Sequence, residues 1–117
     1  MVEGMSGIST HVLDLSQGRP ATGVAVRLER RDGDGWTELS RSVTDADGRV
    51  QSALSTGEGL RVGSYRLCFE TGAYFRETGT NCFHPYIVVA FEVLDAAQDY
   101  HVPLLISPYS YSTYRGS

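Results

Sequence analysis

Lysine is missing altogether: all ten basic side chains are arginines. Schiff-base chemistry and a lysine nucleophile are therefore excluded. Cysteine occurs twice, at Cys68 and Cys82, too few for a disulfide framework, and both are expected as free thiols. The only histidines are His11, His84 and His101. Their spacing matches no metal pattern of the His-Glu-x-x-His or His-x-x-x-His kind, so no metal is expected. A Gly-x-Ser-x-Gly elbow, a P-loop and a dinucleotide fingerprint are also lacking. No apolar run approaches the ~20 residues of a membrane span. The net charge of -4 comes with no basic stripe, which argues against nucleic acid as a partner. Residues Met1 to Val12 lack the basic and apolar regions of a secretory signal. Arg115-Gly116-Ser117 is not a peroxisomal address, and a cytoplasmic location is the expectation.

What is present suits one globular domain. The 117 residues are 41% hydrophobic and 21% charged, as in ordinary folded proteins. Residues 1–7 read as a loose leader and residues 8–117 as a single domain. Short apolar stretches alternate with turn signals throughout. Ile8–Leu15 reads as a strand ending in the loop Ser16–Pro20. In Val24–Arg30, Val24, Val26 and Leu28 fall on one face and Arg27 and Glu29 on the other, the period of a half-buried strand. Asp32–Gly35 is a hairpin-type turn before a strand at Trp36–Thr44. Asp45–Gly48 turns again, and Arg49 opens a further short strand. Another loop is expected at Thr56–Gly59. Val62–Thr71, Tyr86–Leu94, Tyr100–Ile106 and Tyr109–Tyr114 complete about eight strands. The one helical candidate is Gly72–Gly79, with Thr71 as its N-cap and Gly79 just past its end. Strands without βα alternation indicate an antiparallel sandwich or barrel. Pro103 resists the pattern, because proline removes a ladder hydrogen bond: either its nitrogen faces an unpaired gap or the strand ends earlier.

Strand parity places the chemistry. His11 shares a face with Ser9 and Leu13, opposite Val12. His101 shares a face with Pro103 and Leu105, opposite the core set Val102, Leu104 and Ile106. Ser110, Ser112 and Tyr114 share a face of the last strand. If these strands are neighbours, two histidines, a serine and a tyrosine project from one outer sheet face; otherwise that face is simply solvated. The end of the chain is unusually aromatic, with Arg115 beside the terminal carboxylate.

Ser9-Thr-His-Val-Leu-Asp14, Gly18-Arg-Pro20, His101-Val-Pro-Leu-Leu105 and Ser107-Pro-Tyr-Ser-Tyr-Ser-Thr-Tyr-Arg-Gly-Ser117 resemble the transthyretin-related 5-hydroxyisourate hydrolases, from Ile8 to the end. The final Tyr114-Arg-Gly-Ser117 is the most specific part, since the hormone carrier transthyretin shares the preceding Ser-Pro-Tyr-Ser-Tyr-Ser-Thr stretch. The resemblance implies an all-β, transthyretin/prealbumin-like sandwich of two four-stranded antiparallel sheets with one short helix. It also implies a homotetramer, a dimer of dimers, around a channel that holds the sites. Its implied substrate is 5-hydroxyisourate, whose ring amide is hydrolysed to 2-oxo-4-hydroxy-4-carboxy-5-ureidoimidazoline without cofactor or metal.

Catalytic positions carry over onto His11, Arg49, His101 and Ser117. Substrate-binding positions carry over onto His11, Arg49, Ser112, Tyr114 and Arg115. Ring-amide hydrolysis needs an activated water, a polarised carbonyl and a proton for the leaving nitrogen. Neutral imidazole suits the first and third, and a guanidinium suits the second. His101 as base with His11 assisting, or the reverse, both remain open on sequence. Two other classes stand beside the hydrolase: a transthyretin-type carrier of a small ligand, and a non-catalytic prealbumin-like accessory module.

Overall fold

A computed structural model describes residues 7–50 and 60–117. The loop expected at Thr56–Gly59 and residues 1–6 of the expected leader lie outside the described residues. Gly7 is already tied down: its N–H donates to Asp99 Oδ1 (3.0 Å), and its carbonyl accepts from Tyr100 N–H.

Among the described residues, nine strands and one helix form two sheets. The strands are β1 (Ile8–Asp14), β2 (Arg19–Pro20), β3 (Ala25–Asp32), β4 (Gly35–Val43), β5 (Arg49–Val50), β6 (Gly63–Phe69), β7 (Ile87–Val93), β8 (Tyr100–Ile106) and β9 (Tyr111–Thr113). The helix α1 spans Thr71–Glu77. One sheet runs β4-β3-β6-β7, all antiparallel; the other runs β2-β1-β8-β9, with β5 also on β1.

The sandwich with one helix is as expected, and two details differ. First, β1 and β8 pair in parallel, Ile8 opposite Tyr100 through Asp14 opposite Ile106. Parallel neighbours need a long crossover, and here the whole second sheet and the helix provide it. Second, the position flanking β1 on its other side is split. β5 covers Thr10 and His11, and β2 covers Leu13 and Asp14, so that sheet has five strands. Gly48 sits at the junction: its carbonyl accepts Val12 N–H (2.7 Å), its φ is 74°, and a Cβ there would collide with the Val12 carbonyl.

Alternation sets the core. Ile8, Thr10, Val12 and Asp14 of β1, and Tyr100, Val102, Leu104 and Ile106 of β8, are all buried. They pack against Val26, Leu28, Tyr65, Leu67, Phe69, Val89 and Val93 of the facing sheet. Each fully buried aliphatic side chain contributes about 1.5–3 kcal/mol. Among the described residues Asp14 is the one carboxylate in this layer. It accepts from Ser16 N–H and Oγ–H, Gln17 N–H and the Tyr74 hydroxyl (2.7 Å). That last bond docks α1 onto the sheet; burial, with this bond and the Asp14 charge adding to it, pushes the Tyr74 phenol up to about 12.

The helix end conforms to expectation: Gly79 follows it at φ 71°, and Thr80 N–H and Gly79 N–H return to Phe75 and Arg76 carbonyls, the Schellman arrangement. Its start is a correction. Thr71 lies inside the helix, Glu70 is the boundary residue, and no side chain caps it. β6 runs almost directly into the helix, with Glu70 N–H still bonded to the Ala25 carbonyl of β3, which leaves Thr71 Oγ1 buried and unpartnered.

Candidate active site

The outer face of the five-stranded sheet carries the expected cluster. His11 faces Arg49 across the antiparallel β1–β5 pair, and such partners hold their Cβ atoms about 4.5–5.5 Å apart. His11 is level with Pro103 in β8, while His101 is level with Ser9. The two histidines are therefore diagonal neighbours on adjacent strands. Both, with Arg49, are half-buried.

His101 is the most constrained of them. Its Nδ1 lies 2.8 Å from Ser9 Oγ. Burial pushes its pKa below the ordinary 6.5, and the nearby Arg49 and His11 push the same way. Near neutral pH it is an uncharged imidazole beside a permanent cation. That is the protonation state a general base requires, and a guanidinium next to it can polarise a carbonyl or hold an oxyanion.

Pro103 explains how the end of the chain reaches this patch. β9 pairs with β8 from Tyr111 to Thr113, and one further bridge joins Gly116 N–H to the His101 carbonyl (2.8 Å). Register is unchanged across the interruption, and His101, Pro103 and Leu105 direct their backbone groups toward β9. Pro103 has no N–H to give, so the ladder opens at Tyr114 and Arg115, and only the Thr113 hydroxyl bonds to the Pro103 carbonyl (2.7 Å). The strand assignment stands, and the proline nitrogen faces the gap.

The remaining sequence-derived site residues divide. Gly116 lies against the His101 ring, and Ser117 follows it at the exposed end. Ser112 is exposed opposite Leu105, one row beyond the His11 level. Tyr114, at the opening opposite Pro103, is exposed. Arg115 is not gathered with the histidines. Its guanidinium reaches Gln98 Oε1 (2.9 Å) and the Asp99 carbonyl, and lies 4.4 Å from the Tyr100 ring centroid. With Tyr114 it borders a largely apolar cleft of about 630 Å3 between β7 and the end of the chain. Cys68 is buried and Cys82 half-buried, both unpaired. Among the described residues no three His, Cys, Asp or Glu side chains gather as a metal site would need, and no helix is long and apolar enough to cross a membrane.

Residues 8–116 match the HIUase/Transthyretin family along almost the whole chain.

The chain belongs to the HIUase/Transthyretin family.

Among its relatives, the 5-hydroxyisourate hydrolase of Caulobacter vibrioides is 50% identical over 97% of this chain and 100% of its own length. The solved Klebsiella pneumoniae 5-hydroxyisourate hydrolase superposes with a TM-score of 0.83 at 40% identity, covering 97% of this chain and 94% of that one. Sea bream transthyretin, solved with thyroxine, superposes at 0.87 with 32% identity, covering 94% of each. The same backbone thus recurs in a 5-hydroxyisourate hydrolase and in a transthyretin solved with thyroxine, so the fold alone does not decide the function.

Two contributors to that face had no role in the sequence reading. Asp45 Oδ1 accepts the N–H groups of Arg49 (3.0 Å) and Asp47 (2.9 Å). Those bonds hold its carboxyl below the usual range, with Arg49 and His11 helping. The signal was available, because an Asp opening an Asp-x-Asp-Gly turn commonly bonds backbone N–H groups further along. Ser9 was placed on the His11 face, but its bond to His101 depends on the parallel register, which parity does not supply.

Proposed function

We propose that this family member hydrolyses 5-hydroxyisourate, opening the ring amide to 2-oxo-4-hydroxy-4-carboxy-5-ureidoimidazoline in urate breakdown. The observation that carries the reading is the patch on which His101, kept neutral, lies beside His11 and Arg49. The hydrolases named among its relatives support it, that of Caulobacter vibrioides at 50% identity over 97% of this chain.

His101 takes a proton from water through Nε2 as the water oxygen attacks the amide carbonyl. Arg49 polarises that carbonyl and stabilises the charge that develops on its oxygen. The carbon–nitrogen bond then breaks, and a proton passes to the leaving nitrogen, with His11 positioned to deliver it. Tyr114 and Ser112 contact the substrate ring, and the Ser117 carboxylate and Arg115 close the pocket. For Arg115, which leaves the strand on the face opposite Tyr114, this requires release from Gln98 and Asp99 and a turn of the chain end. No step calls on a cofactor.

One half-buried sheet face does not by itself exclude water from a reaction. The reading therefore includes a homotetramer of two back-to-back dimers, with the histidine faces lining the channel between them. β7 and β9, which end their sheets among the described residues, and the exposed Phe83, Leu94 and Tyr109 supply surface for such contacts. Light scattering that shows a stable, fully active monomer would remove the channel from the account. The two unpaired cysteines fit a reducing cytoplasm.

A carrier reading draws on the TM-score of 0.87 to sea bream transthyretin. A carrier has no use for an uncharged base set next to a guanidinium, so the hydrolase is favoured. Following the absorbance of freshly generated 5-hydroxyisourate with and without the protein tests it. Faster decay is expected, and an unchanged trace sinks the proposal.

A further inference from the structure

We propose that Ser9 is the positioning residue for His101, with Gly116 as its counterpart, so that the imidazole presents Nε2 to the reacting water. This rests on the assignment of His101 as the base.

The geometry has two halves. Ser9 Oγ is 2.8 Å from Nδ1, on one side of the ring's attachment point. On the other side lies the Gly116 backbone, so close that a Cβ there would stand 2.6 Å from Cδ2 and 3.3 Å from Cγ. Nδ1 and Cδ2 are the two ring atoms bonded to Cγ, and holding both fixes the ring torsion. A ring flipped by half a turn would set a carbon against the Ser9 hydroxyl and lose the bond. The far edge of the ring, with Nε2, takes part in neither contact.

A neutral imidazole carries one N–H. If Nδ1–H donates to Ser9 Oγ, the lone pair is left on Nε2, where a base needs it. The charged and titratable groups that act on the ring are Arg49 on β5 and His11 on β1. Neither of these is bonded to Nδ1; Ser9 is. The contact exists because β1 and β8 run in parallel with Ser9 level with His101.

The test uses the full-length assembled protein labelled with 15N-histidine. Nitrogen shifts of the ring report its tautomer and titration, while kcat and KM are read on 5-hydroxyisourate. In the parent protein His101 should hold its proton on Nδ1. Ser9→Ala should mix the tautomers and move the titration midpoint and the acid limb of kcat/KM to lower pH, since a bond favouring the cation is lost. It should also lower kcat about tenfold with KM within about twofold, as expected for one hydrogen bond. Ser9→Thr should restore all four readouts. Gly116→Ala should reproduce the Ser9→Ala spectrum with Ser9 intact, because its Cβ displaces the ring; it carries the test should Ser9→Ala not fold. An unchanged His101 tautomer and midpoint in Ser9→Ala, or Ser9→Thr behaving like Ser9→Ala, overturns the proposal. A His101→Asn control separates the two ideas: normal turnover there refutes the base assignment, while the ring spectrum still judges Ser9.

Discussion

Replacing His101 by asparagine removes the base while leaving its surroundings in place. The shorter side chain still reaches the position of Nδ1, so its amide can keep the bond to Ser9 Oγ, 2.8 Å away in the parent. Nothing then extends to the site of Nε2. A positioned acid–base group is worth about 10²–10⁴-fold, or roughly 3–5 kcal/mol of barrier, so kcat should fall at least a hundredfold. Stability should hardly move. His101 lies on the outer face, half-buried against Gly116 and Pro103, and losing those contacts costs about 1 kcal/mol or less. Leu104 supplies the contrast three residues on. It is fully buried on the opposite face, and Leu104→Ala should cost about 2–5 kcal/mol with little change in kcat while the protein stays folded. Stopped-flow decay of 5-hydroxyisourate and thermal melts on both variants form the assay. His101→Asn within about threefold of parent turnover would refute the reasoning, as would Leu104→Ala proving the more damaging to kcat.

Because the folded-state pKa of His101 is depressed, kcat/KM should be level near neutrality and fall with acidification only at a midpoint below the ordinary ~6.5. The same shift adds stability that is fully present above ~6.5 and is lost as pH falls from there through the folded pKa; denaturant melts from pH 7.5 downward should show it, and should not in His101→Asn. Tyr74→Phe removes one of the donors to buried Asp14 and should cost about 1.5–3 kcal/mol, read as a shift in denaturation midpoint with kcat unchanged. A verified C-terminal tag, or deletion of Tyr114–Ser117, should reduce activity strongly while an N-terminal tag is tolerated; equal activity for the two tagged forms would reduce the chain end to an edge strand.

The faces of β1 and β8 were legible because both strands obey a period of two, and the buried set Ile8, Val12, Val102, Leu104 and Ile106 turns His11 and His101 outward without further information. The helix end was legible from Gly79, whose position signals a left-handed residue. Sheet order was not, since β2 is two residues long and too short to show a period. The parallel pairing of β1 with β8 joins segments some 90 residues apart, and no local signal encodes it. Arg115 illustrates a further limit: parity sets the side from which it leaves the strand, but its capture by Gln98, Asp99 and the Tyr100 ring depends on the loop before β8. The N-cap expectation failed at Thr71 because the strand before the helix still held its ladder.

The opening at Pro103 makes the end of this protein a length gauge. The ladder resumes at Gly116 in the register it left at Thr113, so the two residues between span the gap with no slack. Shortening the span by one would bring Ser117 to the place of Gly116, and its Cβ would press on the imidazole where 2.6 Å is all that is available. It would also exchange the sides to which residues 114 and 115 point, because successive side chains alternate. Lengthening it by one would withdraw the glycine from the ring. Among relatives that keep a base at His101, the distance in residues from that histidine to the small residue fifteen places on should therefore drift far less than loop lengths elsewhere, whatever happens to the side chains between.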